Sequence, residues 1–135
     1  MRARLSSTPL HMLVAFMAMG AWAAWANHDH ASSQMWRAAL LQGALSALLT
    51  LYLKRVVETI NRRCEGVTAL WLPPLVAVAG SAALLVALHL VAGTPAIVAT
   101  VAVPLLVSSS YVSLYNLTLV RNRRRSRGKS FDEER

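Results

Sequence analysis

The sequence predicts an all-α membrane protein, a bundle of four transmembrane helices, on three observations. Apolar residues make up 56% of the 135-residue chain and charged ones only 15%, against about 25% charged in soluble domains. Four apolar stretches, 9–26, 35–57, 69–92 and 95–120, are each long enough to cross the roughly 30 Å hydrocarbon core of a bilayer at about 1.5 Å per helical residue. The connections between them are too short to hold a soluble domain, and lipid cannot hydrogen-bond exposed peptide groups. The crossing segments must therefore be helices.

The first span begins at Thr8-Pro9, a capping hydroxyl before a proline at the first helical position. Arg2, Arg4 and the Ala24-Trp25-Ala26 stretch before Asn27 also have the outline of a cleavable signal peptide. The long apolar run and the interfacial Trp22 and Trp25 favour a permanent span. The second span ends on Lys54-Arg55. The third opens on Leu72-Pro73-Pro74, which predicts either a distorted backbone there or a helix that becomes regular only at the prolines. Thr94-Pro95 reads as the start of the fourth, and Pro104 in mid-span should kink it and release a carbonyl near Thr100. Trp25 and Trp36 mark one membrane interface and Trp71 the other.

Charge sets the orientation, because Lys and Arg beside spans stay in the cytoplasm. With the amino terminus inside, thirteen of the fourteen basic residues are cytoplasmic and only Arg37 lies outside. Both termini and the 58–68 loop are then cytoplasmic. The tail 121–135 carries six basic residues from Arg121 to Lys129, and three acids follow before the end, which predicts a solvated, flexible terminus. The formal charge of +8 points to anionic lipid headgroups, worth roughly 1 kcal/mol per basic residue at an acidic leaflet, rather than to nucleic acid.

Function in a membrane helix is sought among its polar residues, which cost free energy unless they face protein or water. Gln42, Ser46 and Thr50 recur every fourth residue, next to small Gly43 and Ala47. Ser109, Ser113 and Asn116 form a second stripe. One reading is that the two faces meet through close packing and interhelical hydrogen bonds. The other is a polar groove open to the cytoplasm that admits the headgroup of an amphiphile. In that reading Arg55, Arg121 and Arg123 attract a phosphate while Ser113, Tyr115 and Asn116 contact the polar head. The candidate substrate-binding residues are thus Gln42, Ser46, Thr50, Arg55, Ser109, Ser113, Tyr115, Asn116, Arg121 and Arg123.

Other classes find less support. No Asp, Glu, Lys or Arg lies in the central two-thirds of any span, which argues against proton- or sodium-coupled transport and against voltage sensing. The serines have no acid–base partner within their spans, so no enzyme is expected. His28, Asp29, His30 and His89 are competent metal ligands at a spacing of little specificity; a polar surface loop is the simpler reading, and neither metal nor cofactor is expected. Cys64, the single cysteine, cannot form an internal disulfide.

Ser46–Tyr52 resembles Ser109–Tyr115, and each stretch runs into basic residues, so two similar helical hairpins in parallel orientation are one reading of the fold. The four short spans with both ends inside, Tyr115-Asn116 and Arg121 closing the fourth helix and Lys54-Arg55 closing the second resemble the GtrA-like family of small bacterial membrane proteins. The chain departs from that pattern in lacking a glycine-rich opening and in having Tyr52 and Leu53 where such proteins often carry an asparagine. The resemblance implies a role in moving or presenting a polyprenyl-phosphate-linked sugar for cell-surface glycan synthesis. The alternative is an accessory or assembly subunit that packs the small-residue row Ala79, Ala83 and Ala87 against a larger membrane protein. A homo-oligomer or such a partner is the expected context.

Overall fold

The computed structural model describes the backbone of residues 3–133 and the side chains of residues 9–128. Four helices follow one another: α1 (Ala3–Ala26), α2 (Ser32–Arg63), α3 (Thr68–Val91) and α4 (Ile97–Glu133). Each is long and apolar enough to cross a membrane, so the chain forms the all-α four-helix membrane bundle that its apolar runs predict. α2 and α4 each touch all the other helices, whereas α1 and α3 do not touch one another among the described residues. One end of the bundle, where α2 finishes and the arginine-rich part of α4 emerges, is basic. The other carries the α1–α2 and α3–α4 turns.

The helix bounds differ from the apolar runs where polar residues can continue a helix. α1 begins at Ala3 and contains Pro9 rather than starting there; a proline in an early turn removes only one backbone hydrogen bond. α2 reaches Arg63 and spans 32 residues, roughly 48 Å at 1.5 Å each. α4 continues without a break past the expected span end at 120, through the arginines and to Glu133, into the 131–135 end that the sequence predicts to be flexible. Arg and Lys are good helix formers, and no proline interrupts the segment.

Because lipid provides no hydrophobic drive between helices, close packing and polar contacts hold such a bundle together. The buried face of α2 supplies two clusters. Leu45 and Leu49 meet Leu85 of α3 and Val101 of α4. Nearer the basic end, Leu53 and Val57 meet Ala77 and Val112. α1 crosses α2 at two glycines: a Cβ at Gly43 would lie 2.8 Å from the Phe16 carbonyl oxygen, and one at Gly20 would lie 3.0 Å from that of Ala39. Gly43 therefore serves the α1 contact, not the α4 contact that its place beside the polar stripe implied. Gly80 of α3 leaves room for the Tyr52 hydroxyl of α2.

The α3–α4 turn is a Schellman motif. Gly93 takes a positive φ of 67°, which an L-residue with a side chain rarely adopts. The Thr94 amide donates to the His89 carbonyl at 3.0 Å and the Gly93 amide to that of Leu90 at 3.1 Å. Thr94 is thereby held facing α3 and does not cap α4. Asn27, at the end of α1, does so instead: its Oδ1 accepts the Ala96 amide at 3.1 Å, and its Nδ2 donates to Ala23 O and Thr100 Oγ1, both at 2.8 Å. Trp22 adds an indole hydrogen bond to the Ala99 carbonyl at 3.0 Å, beside the Thr100 carbonyl that Pro104 leaves without an amide donor.

Candidate functional site

Pro73 and Pro74 lie inside α3, which runs unbroken from Thr68. Neither has an amide hydrogen, so the carbonyls of Ala69 and Leu70, four residues earlier, lose their helical donors. Asn116 of α4 replaces both. Its Nδ2 donates to Ala69 O and to Leu70 O, each at 2.9 Å. The Asn116 oxygen accepts Asn61 Nδ2 of α2 at 2.8 Å, and Asn61 reaches Ala69 O as well, at 3.3 Å. Both asparagines are buried, at 0% and 1% exposure. Asn116, expected to contact a ligand head, is thus occupied with the backbone of α3, and its burial leaves it unreachable from any groove.

Arg123 completes this network. It donates to Asn61 Oδ1 at 2.6 Å, to Asn61 O at 2.8 Å and to Cys64 O at 3.0 Å. A guanidinium on the last carbonyls of a helix satisfies orphan acceptors and complements the negative end of its dipole. Arg123 therefore caps α2, while Arg127 pairs with Glu65 at 3.2 Å. Arg55 and Arg121 are exposed and have no side-chain partner among the described residues, as are Lys54, Arg62 and Arg124.

A second buried polar chain lies at the opposite end. Thr94 Oγ1 is 2.7 Å from His89 Nδ1, His89 Nε2 is 2.9 Å from Gln42 Oε1, and Gln42 Nε2 donates to Ser46 Oγ at 2.9 Å. Since the Gln42 oxygen can only accept, Nε2 of His89 carries a hydrogen, and Nδ1 is left to share a hydrogen bond with the Thr94 hydroxyl. His89, one of the possible metal ligands, is therefore committed to Gln42 and Thr94. Among the described residues no cluster of three or more His, Cys, Asp and Glu side chains is arranged to hold a metal ion.

Ser46 and Thr50 open onto a groove of about 340 Å³ between α1, α2 and α4, lined also by His11, Met19, Leu49, Leu53, Pro104, Val107, Ser108 and Tyr111. The Thr50 hydroxyl is returned to the Ser46 carbonyl at 2.9 Å. The α4 side of this groove carries Ser108 and Tyr111, not Ser109 and Ser113. One residue is about 100° of helix rotation, which turns Ser109 and Ser113 to a separate α3–α4 cleft beside Trp71 and Pro74. The two proposed polar stripes do not meet. Ser109 instead donates to Leu105 O at 2.6 Å.

Tyr115 stacks on Tyr111, with ring centroids 6.0 Å apart and planes 2° from parallel, and its hydroxyl donates to the Glu58 carboxylate of α2. Tyr52, its counterpart in the suspected repeat, points to α3, so the two similar stretches pack differently. His11, Ser108, Tyr111, Glu58 and Asn61 were absent from the candidate set. Glu58 and Asn61 sit just past the apolar run, where hydropathy gives no signal. Ser108 and Tyr111 share their stretch with more conspicuous serines. No family model matches the chain, and no curated protein or solved structure matches it either.

Proposed function

We propose that the protein binds a phosphate-bearing amphiphile in the leaflet at its basic end and presents it without chemical change. The observation behind this reading is the α1–α2–α4 groove. Its walls are apolar along Met19, Leu49, Leu53 and Val107, and they carry hydroxyls at Ser46, Thr50, Ser108 and Tyr111. That combination suits a lipid chain joined to a polar head. Helical register extends the walls to Lys54, one turn beyond Thr50, and to Arg121, about four turns beyond Val107. Both are exposed and unpartnered among the described residues, and each is worth roughly 1 kcal/mol toward an anionic headgroup.

The bias of Lys and Arg toward one end supports a cytoplasmic position for that end under the positive-inside rule, and the GtrA-like layout supports a membrane of the bacterial inner type. On the GtrA-like layout, the natural amphiphile is a polyprenyl-phosphate-linked sugar used in cell-surface glycan synthesis. The groove reading is tested by filling the cleft: Ser108→Trp and Thr50→Trp should remove most co-purifying phospholipid or polyprenyl phosphate, measured by mass spectrometry of the purified protein, while Ser113→Trp should not. Equal lipid in all three variants contradicts the reading.

One observation favours a second reading, an accessory subunit of a larger membrane complex. Ala79, Ala83 and Ala87 form an exposed small-residue row on α3, of the kind that lets helix backbones approach closely. Ala83→Phe should then release a stoichiometric membrane partner during detergent purification, and purification of the wild-type protein alone contradicts it.

A further inference from the structure

Toward the basic end, α2 and α4 form a second, open cleft of about 240 Å³, lined by Glu58, Asn61, Arg62, Leu119 and Arg123. It continues the groove along the same helical faces: Asn61 follows Thr50, and Leu119 follows Ser108, by eleven residues, which is three turns of helix and about 20° of rotation. Tyr111 and Tyr115 join the two spaces. Tyr111 lines the groove and stacks on Tyr115, whose hydroxyl holds the Glu58 carboxylate at the cleft wall.

The charges in this cleft are not matched within the protein. Glu58 is partly buried, accepts the Tyr115 hydroxyl and forms no ion pair among the described residues. Arg62, one turn further along α2, is exposed and has no side-chain partner among them. Arg123, the other cation at the wall, is engaged with the end of α2. A head bearing only negative charge would find Arg62 and leave the Glu58 carboxylate unmatched. A head bearing both charges would meet complementary groups on residues four apart, whose Cβ atoms lie about 5–6 Å from each other. That separation matches the few bonds between phosphate and ammonium in an ethanolamine phosphate ester.

We infer that the head of the bound amphiphile carries a primary ammonium as well as a phosphate. The ammonium donates to the Glu58 carboxylate and the phosphate accepts from Arg62, both as charge-assisted hydrogen bonds. This assignment rests on the groove reading and adds the class of headgroup. The shared chemistry belongs to phosphatidylethanolamine and equally to a polyprenyl phosphate bearing an amino sugar.

Native mass spectrometry of the full chain in detergent tests it, with phosphatidylethanolamine, its N-methyl derivative, phosphatidylcholine and phosphatidylglycerol of matched acyl chains as probes. Retention should fall as N–H donors are removed, with phosphatidylethanolamine held roughly fivefold more tightly than phosphatidylcholine or phosphatidylglycerol. Glu58→Gln should abolish the preference over phosphatidylglycerol without weakening phosphatidylglycerol itself, and Arg62→Gln should weaken every phospholipid. The lipid series needs no variant, so it decides the matter even if Glu58→Gln fails to fold. Equal retention of the probes, or a preference that survives Glu58→Gln, overturns the headgroup assignment and leaves the groove standing; no retention of any probe overturns the groove reading itself. A polyprenyl-phosphate amino sugar that displaces phosphatidylethanolamine identifies the second source, and failure to displace it identifies the first.

Discussion

Asn61 and Asn116 meet side chain to side chain at 2.8 Å, from helices α2 and α4, over the two carbonyls of α3 that its prolines leave bare. Consecutive prolines in the first turns of a membrane helix are tolerated only where neighbouring groups satisfy the freed backbone. Here a single carboxamide supplies two donors in place of two missing amides. α3 is thereby bonded to the basic ends of α2 and α4, and the role of Asn116 follows from what Pro73 and Pro74 lack.

Asn116→Leu should therefore destabilise the bundle by about 1–3 kcal/mol, the cost of leaving buried acceptors unpaired. In a Pro73→Ala, Pro74→Ala background the restored amides should reduce that cost by at least about 1 kcal/mol, a coupling that a double-mutant cycle isolates. Unfolding by steric trapping or SDS titration measures both. Equal costs in the two backgrounds would show that Asn116 acts elsewhere.

Gly43→Ala puts a methyl group 2.8 Å from the Phe16 carbonyl, with the Phe16 ring 3.1 Å away. The helices must separate, at about 1–3 kcal/mol for an overpacked contact. Gly128→Ala meets nothing within 4 Å and should stabilise the helical tail by about 1 kcal/mol at most through propensity. Thermal melts of the two variants in detergent check the contrast.

His89→Leu leaves Gln42 Oε1 buried without its donor, and Gln42→Leu leaves His89 Nε2 without its acceptor. Each should cost about 1–3 kcal/mol. The double variant should cost less than the sum, because residues in one hydrogen-bond network are not independent. Additive losses in equilibrium unfolding would contradict the buried pair.

Arg123 and Arg121 separate structure from binding. Arg123→Met should lower stability by about 1–3 kcal/mol by uncapping α2. Arg121→Met, at an exposed site, should change stability by less than about 0.5 kcal/mol while weakening anionic lipid in a vesicle-binding assay. The reverse pattern would exchange the two roles.

The four spans were legible in the sequence because apolar length reports directly on bilayer thickness, and no other feature competes with it. The hazard at Pro73-Pro74 was legible too, but its remedy was not, since nothing local to Asn116 says which backbone it faces. The phase of the α4 stripe failed for a related reason: Ser108 and Ser109 are chemically alike, and only packing distinguishes their directions. The helical tail was hidden because charge lowers hydropathy without lowering helix propensity. Arg55, Arg121 and Arg123 read alike in sequence, yet Arg55 and Arg121 lie exposed and unpartnered among the described residues, whereas Arg123 serves as a cap.

A photo-crosslinking residue placed in turn at position 108 and at position 113 of the protein, in native membranes, distinguishes a ligand-binding groove from a surface wetted by bulk lipid. A groove ligand should give a lipid adduct of defined mass at 108, suppressed by Thr50→Trp, and at 113 only a mixture reflecting bulk lipid. Bulk lipid at both positions, unaffected by filling the cleft, would contradict a ligand-binding groove between α1, α2 and α4.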